Sequence, residues 1–255
     1  MIFLSILLLL VAGVGLSYLV NLFCDILPIT VDEIPKKFSF HPVCQHCKEN
    51  KSWSDFLLFR HCLVCNQKVA IRQWIVLIAF PLAATIFYLF PPQQLQGWMM
   101  LVLVFYFFIV AIIDISHRIV LRSLTFIGWI LTFGIGYLIH GLPLTLLGGG
   151  SGLIVMLLLF YAGVIFSKIM EKRRGEPVDE ALGFGDVYIS IMAGFLLAFP
   201  GVFSALILAI LLGGLTSFIF LISMLVRKDY KPLTPIPYAP FIILATFILL
   251  YRQGM

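Results

Sequence analysis

The amino-acid sequence predicts an all-α polytopic membrane protein with about eight transmembrane helices and one small cysteine-rich insertion. Of its 255 residues, 62% are hydrophobic and only 11% are charged, and the mean hydropathy is +1.09. Soluble domains carry roughly 25% charged residues and about 45–50% apolar ones. A chain of this composition could not bury its apolar surface in one aqueous core, so the sequence excludes an ordinary soluble protein.

Eight apolar runs account for most of the chain. A helix needs about 20 apolar residues to cross a hydrocarbon layer of ~30 Å. The predicted spans are residues 2–23, 74–90, 98–117, 119–140, 143–167, 186–199, 202–226 and 233–251. The sixth is short, and the third and fourth are nearly continuous. The first has no basic segment before it and no small-residue cleavage site, which favours a retained anchor over a cleaved signal peptide.

The basic residues indicate how these spans are oriented. Sixteen of the 17 Lys and Arg residues fall in or at the edge of the connections after spans one, three, five and seven, with Arg122 at the start of the fourth span, and only Arg252 does not. Cytoplasmic loops of membrane proteins are enriched in Lys and Arg. We therefore expect a bacterial inner-membrane protein with both termini outside and these four connections in the cytoplasm. The net charge of +5 then reflects topology, and no nucleic-acid partner is predicted.

The first cytoplasmic connection contains two Cys-x-x-Cys pairs. Fourteen residues separate Cys44-Gln-His-Cys47 from Cys62-Leu-Val-Cys65. Two such knuckles are typical of a tetrahedral zinc site, and four thiolates leave no open position, so the ion would be structural. Two disulfides are the alternative, but the cytosol keeps thiols reduced. His41, His46 and His61 lie beside the knuckles, either as ordinary loop residues or as replacements for a thiolate.

These features predict three parts: a first transmembrane helix (1–23), a cytoplasmic four-cysteine zinc domain (24–72) and a seven-helix membrane domain (73–255). Ten of the 12 acidic residues lie in polar stretches, where we expect solvated charges. Asp114 and Asp186 instead adjoin apolar runs. A carboxylate at membrane depth costs about 2.5–3.5 kcal/mol. Each has a structural alternative, since Asp114 could pair with Arg118 one turn on and Asp186 could be a helix N-cap.

Two such acids on different helices suggest hydrolysis. An ionised carboxylate can take a proton from water while a protonated partner polarises a peptide carbonyl, and partial burial lets the pair share one proton. The glycines in Gly183-Phe-Gly185-Asp186 allow close backbone approach to a neighbour or a substrate. The glycine run from Gly148 to Gly152 is better explained by close helix packing than by cofactor binding.

The motifs, in this order, resemble the type IV prepilin leader peptidases (leader peptidase/N-methyltransferases) among the membrane Gly-x-Gly-Asp aspartic proteases. The matching segments are spread over nearly the whole chain. They are the end of the first helix (Asn21 to Pro28), the double Cys-x-x-Cys with Trp53 and Asp55 between, Asp114 followed by Ile115 to Leu121, Glu180-Ala-Leu-Gly-Phe-Gly-Asp186-Val, and Pro235-Ile-Pro-Tyr-Ala-Pro240-Phe.

The resemblance implies that Asp114 and Asp186 form a catalytic dyad that removes the short basic leader of prepilins or pseudopilins after a glycine, at the cytoplasmic membrane face. It also implies N-methylation of the new terminus with S-adenosylmethionine in bifunctional members. Three positions depart from the family pattern. Leu121 stands where proline is usual, Tyr188 where lysine is usual, and the run from Arg72 to Leu77 lacks a glutamate associated with methyl transfer.

Two other classes of function fit part of the pattern. A proton- or cation-coupled transporter also uses intramembrane carboxylates and glycine-broken helices, although no inverted repeat is evident and the motif order would have no explanation. A non-catalytic membrane scaffold would use the zinc domain to bind a partner and the aspartates for hydrogen bonds between helices.

Overall fold

The computed structural model describes residues 2–28, 41–174, 183–227 and 237–253, and these residues form seven helices. The helices are α1 (Ile2–Ile26), α2 (Trp53–Leu57), α3 (Ile71–Leu89), α4 (Gly97–His117), α5 (Arg122–Arg174), α6 (Phe184–Arg227) and α7 (Ala239–Gln253). No strand occurs in the described part of the chain, where one isolated antiparallel bridge joins Val43 and Asn50. The predicted fold class is confirmed.

Five of the described helices are long and apolar enough to cross a membrane, and α7 is a shorter apolar helix. Helix α5 has 53 residues, more than twice the ~20 that one crossing needs. Its dihedral angles break at Gly141, which has a φ of 74°, between the predicted fourth and fifth spans. Helix α6 breaks at Ala198 and Phe199, the last two residues of the predicted sixth span. The number of crossings stays a prediction.

The chain forms two compact units. The first comprises Met1–Pro91 and Leu95–His117, and the second comprises Pro92–Gln94 and Arg118–Met255. Asp114 and the cysteine-rich insertion therefore belong to the first unit, and Asp186 belongs to the second. The predicted three-part division of the chain stays a prediction.

In the first unit, the cysteine-rich insertion packs directly on the membrane-capable helices α1 and α3. Phe56 of α2 forms a buried cluster with Leu22 and Ile26 of α1. The Tyr18 hydroxyl of α1 donates a 3.1 Å hydrogen bond to the Leu57 carbonyl. On the other side, the ring of Phe59 stacks on Trp74 of α3 with centroids 4.7 Å apart. These contacts hold the insertion against α1 and α3.

A buried ion pair joins the end of α1 to the start of α3. The Arg72 Nη2 atom donates to Asp25 Oδ1, and Gln73 Nε2 donates to Asp25 Oδ2 at 2.9 Å. The expectation that Asp25 is a solvated loop charge is therefore wrong: it lies inside α1 and is 2% exposed. Helix α1 also continues past residue 23, the predicted end of the first span, to Ile26. Asp55, at 8% exposure, also departs from that expectation.

In the second unit, glycines let α5 and α6 approach closely. A Cβ atom added to Gly148 would lie 2.6 Å from the Ala198 Cα, and one added to Gly194 would lie 2.6 Å from the Gly148 carbonyl carbon. A Cβ atom added to Gly149 or Gly152 would also lie less than 3.0 Å from a neighbouring atom, whereas one added to Gly150 would meet nothing within 4 Å. The predicted packing role of this glycine run is confirmed for three of its four glycines.

Candidate active site and metal centre

Asp114 is a buried carboxyl group near the C-terminal end of α4. It is 6% exposed, follows the buried residues Ile112 and Ile113, and lies in the last helical turn, which ends at His117. Five residues earlier in α4, the Ile109 carbonyl oxygen lies 3.9 Å from the Cys24 thiol of α1. At 1.5 Å per residue, Asp114 is about 7.5 Å further along α4 than this contact.

Asp186 occupies the first turn of α6. The helix begins at Phe184, so Gly183 is the N-cap and Asp186 is the third helical residue. The Gly183 backbone N–H donates to Asp186 Oδ2 at 3.1 Å, and the Asp186 N–H donates to the Gly183 carbonyl at 3.1 Å. This is the back-reaching half of a capping box. The structural alternative is thus partly right: Asp186 is not the N-cap, but its carboxylate does satisfy the N-cap residue's donor.

The two motif glycines have different surroundings. A Cβ atom on Gly185 would lie 2.6 Å from the Val120 Cβ, closer than real Cβ contacts come. A Cβ on Gly183 would meet nothing closer than 3.7 Å, which is ordinary contact with its own Asp186. Gly185 therefore provides the close backbone approach that the sequence predicts, and its neighbour is the segment that follows Asp114 in the chain.

The closing motif brings an aromatic residue toward Asp186. Tyr238 directly precedes α7, and its ring packs over Gly213 of α6, where an added Cβ would meet the ring at 2.8 Å. The Asp186 carboxylate lies near enough to interact electrostatically with the Tyr238 phenol. Pro235 and Ile236 of this motif, like Glu180 to Leu182 of the preceding one, lie outside the described residues.

The four cysteines converge as the sequence predicts. The sulfur atoms of Cys44, Cys47, Cys62 and Cys65 all lie within 4.8 Å of one another. The Cys44–Cys65 and Cys47–Cys62 sulfur pairs are each 3.7 Å apart. A tetrahedral ion with Zn–S bonds of ~2.3 Å would place its sulfur ligands about 3.8 Å apart, whereas a disulfide needs about 2.05 Å. The cluster therefore fits a metal ion such as zinc better than it fits two disulfides.

The two knuckles have the same backbone pattern. In the first, the Lys48 N–H donates to the Cys44 carbonyl, and in the second the Asn66 N–H donates to the Cys62 carbonyl, both at 2.8 Å. Lys48 and Asn66 have positive φ angles of 58° and 53°. Hydrogen bonds from the Cys65 and Val64 backbone N–H groups lower the pKa of the Cys62 thiol to about 6. Cys62 therefore readily supplies the thiolate form that binds metals, whereas the pKa of the Cys47 thiol is raised.

Several residues at these sites gave no signal in the sequence. Asp25 and Arg72 form the buried pair at the end of α1. The Gln45 side chain, between the first two cysteines, contacts the Cys24 carbonyl and the His117 imidazole at 3.2 and 3.3 Å. These contacts join residues 21 to 72 positions apart, which spacing alone does not predict.

Comparison with known proteins supports one family. Residues 101–218 match the family model described as the type IV leader peptidase family. The matched segment is a little under half of the chain and contains both Asp114 and Asp186. No curated protein and no solved structure matches the chain significantly. The recognition drawn from the sequence motifs is confirmed.

Proposed function

We propose that this chain, whose residues 101–218 match the type IV leader peptidase family, is an intramembrane aspartic endopeptidase with Asp114 and Asp186 as its catalytic pair. The observation that carries the proposal is that both are buried carboxyl groups, each 6% exposed, on separate helices of the matched segment. Burial of this kind is costly for a charged group and marks functional acids in membrane proteins. The proposal requires the two carboxyl groups to meet at one water molecule.

The helix positions suggest which acid carries which charge. Negative charge is favoured at the N-terminus of a helix and disfavoured at its C-terminus. Asp186 is in the first turn of α6 and accepts a backbone hydrogen bond, whereas Asp114 is in the last turn of α4. We therefore assign the ionised role to Asp186 and the protonated role to Asp114.

The reaction then proceeds by direct attack of water. Asp186 removes a proton from the water as its oxygen bonds to the scissile carbonyl carbon, while Asp114 donates its proton to the carbonyl oxygen. Collapse of the tetrahedral intermediate breaks the C–N bond. The leaving nitrogen takes the proton held by Asp186, and the hydroxyl proton returns to Asp114. The products are a carboxyl group and an amine, and the pair regains its initial state.

We propose a prepilin or pseudopilin as the substrate and the cytoplasmic face of the bacterial inner membrane as the place of cleavage. The positive-inside pattern predicts that the connections after spans three and five are cytoplasmic. Asp114 and Asp186 adjoin these two connections in the sequence. A short basic leader would emerge from the membrane at the same level. The predicted cytoplasmic position of the cysteine cluster follows from the same pattern.

The cysteine cluster would hold a structural zinc ion. Zinc bound by Cys44, Cys47, Cys62 and Cys65 would supply the fold of an insertion too small for a large core. Methyl transfer with S-adenosylmethionine stays a prediction that rests on the family resemblance alone. Leu77 stands in the run where the family has the glutamate associated with methyl transfer.

The direct test is cleavage of a prepilin-like peptide by the purified protein in detergent, followed by mass spectrometry. We expect a single cut after a glycine, and no cut by either Asp114→Asn or Asp186→Asn, with zinc content unchanged. Glu171→Gln, an exposed carboxyl-to-amide change near the end of α5, is the matched control and should cleave normally. Ion-dependent uptake without any cleavage would instead favour the transporter alternative and reject the proposal.

A further inference from the structure

The first cysteine knuckle contacts the end of α4 through one side chain. Gln45 stands between Cys44 and His46, and its Nε2 atom lies 3.3 Å from His117 Nε2, the last residue of α4, and 3.2 Å from the Cys24 carbonyl oxygen of α1. A side-chain amide nitrogen carries two N–H donors. One can point to each acceptor, so a single Gln45 side chain connects the knuckle, α1 and α4.

The Cys24 carbonyl depends on this contact. Within a helix it would accept a hydrogen bond from the N–H of residue 28, four positions on. Residue 28 is a proline, which has no backbone N–H. Helix α1 also ends at Ile26, so Cys24 is among its last four carbonyls. Gln45 supplies the donor that the chain itself lacks at this position.

The His117 contact bears on Asp114. Residues three apart on a helix are neighbours on its surface, and residues 114–117 are the last turn of α4. A hydrogen bond to His117 from a knuckle fixed on α1 restrains that whole turn. The second knuckle has the same backbone but carries Leu63 at the position of Gln45, and Leu63 is 78% exposed. Only the first knuckle therefore reaches α4 from this position.

We propose that Gln45 is a positioning residue for Asp114: it transmits the order of the metal-bound knuckle to the last turn of α4. This inference rests on the proposed function, in which Asp114 is one of the catalytic acids. It gives the metal cluster a second role, since an ion bound by Cys44 and Cys47 would also fix the position of Gln45 between them. Gln45 need not touch the substrate.

Three variants test the inference. Gln45→Met keeps the length of the side chain and removes both donors. His117→Ala removes the same hydrogen bond from the α4 side, so it carries the test if Gln45→Met fails to fold or loses zinc. Leu63→Ala is the matched control at the equivalent position of the second knuckle. Each variant is purified in detergent and its zinc content is measured.

Hydrogen exchange of the amides at residues 114–117 is the readout that does not need activity. We expect roughly two- to tenfold faster exchange in Gln45→Met and in His117→Ala, the factor that one hydrogen bond supplies. The double variant should exchange no faster than Gln45→Met, because both substitutions remove the same hydrogen bond between Gln45 and His117. The Leu63→Ala protein should match the unsubstituted protein. Unchanged exchange in the two single variants, or additive effects in the double variant, would overturn the inference.

Cleavage kinetics then separate this inference from the proposed function. We expect a fall in kcat by a similar factor with KM unchanged in Gln45→Met, as for a residue that orients a catalytic group. If the unsubstituted protein cleaves and Gln45→Met cleaves at the same rate, the proposed function stands and the positioning role is rejected. If exchange rises but the unsubstituted protein does not cleave, the proposed function fails, and the positioning role falls with it.

Discussion

The Gly183 backbone N–H donates a 3.1 Å hydrogen bond to Oδ2 of Asp186, and the Asp186 N–H donates one of equal length to the Gly183 carbonyl. This reciprocal pair closes the first turn of α6. A proposed catalytic acid therefore also caps the helix that carries it. Loss of charge at residue 186 and loss of the cap are different changes, and they call for different substitutions.

Asp186→Asn should separate the two roles. Asparagine keeps an oxygen that can accept the Gly183 N–H but carries no charge, whereas alanine keeps neither. We expect the Asn variant to unfold thermally at nearly the same temperature as the unsubstituted protein. The Ala variant should lose roughly 0.5–1.5 kcal/mol, the value of one hydrogen bond. Both should fail to cleave. Equal destabilisation by Asn and Ala would contradict the capping role.

The two motif glycines should respond differently to alanine. Gly185→Ala places a Cβ atom 2.6 Å from the Val120 Cβ, so one backbone segment must shift, while Gly183→Ala makes only ordinary contact. Overpacking of this kind costs about 1–3 kcal/mol. We expect a lower melting temperature and reduced cleavage for Gly185→Ala only. Adding Val120→Gly should restore part of the loss; no recovery would show that another contact makes Gly185 necessary.

Removing one member of the buried pair of Asp25 and Arg72 should destabilise the fold more than removing both. Arg72→Met leaves a buried carboxylate with only Gln73 as a donor among its described partners, and breaking one side of a buried pair costs roughly 3–5 kcal/mol. The double variant Asp25→Leu with Arg72→Met removes both charges and should be far less destabilised. Thermal unfolding of the three proteins checks this. A double variant as unstable as Arg72→Met would show that the pair contributes more than charge compensation.

Metal binding should depend on the cysteines and on pH. Cys44→Ser combined with Cys47→Ser should reduce zinc from about one ion per chain to near zero. Because the pKa of Cys62 is lowered to about 6 from 9.0, its thiolate persists at pH 7 and is lost as the pH falls through that value. Zinc should therefore bind at pH 7 and bind more weakly as the pH falls, because protons then compete with the ion for the thiolates. Metal analysis that finds no zinc in the unsubstituted protein would revive the disulfide alternative.

The features that the sequence could predict are those set by solvent and by local spacing. Hydropathy gave the helices, because every apolar run must satisfy its backbone in lipid. Gly141 and the residues before Pro200 mark the two breaks in the long helices. The cysteine cluster was predictable because each pair of ligands is only three residues apart and one ion imposes the rest of the geometry.

The burial and pairing of Asp25 could not be predicted from the sequence. Asp25 lies just beyond the predicted end of the first span, in the connection expected to be polar, so its position is typical of a solvated helix end. Its partner Arg72 is 47 residues away and becomes adjacent only when α1 and α3 pack together. Gln45 was likewise missed, because its acceptors are a backbone carbonyl and a histidine 72 positions on. Tertiary contacts of this kind have no local pattern.

The central claim is that Asp114 and Asp186 act as one catalytic unit, and a double-variant comparison tests it most directly. Initial rates of peptide cleavage would be measured for Asp114→Asn, Asp186→Asn and the protein carrying both. If two residues act on one water molecule, removing either one abolishes the contribution of both. We therefore expect each single variant to be as inactive as the double variant. A single variant that keeps measurable turnover, with a further drop in the double variant, would contradict it.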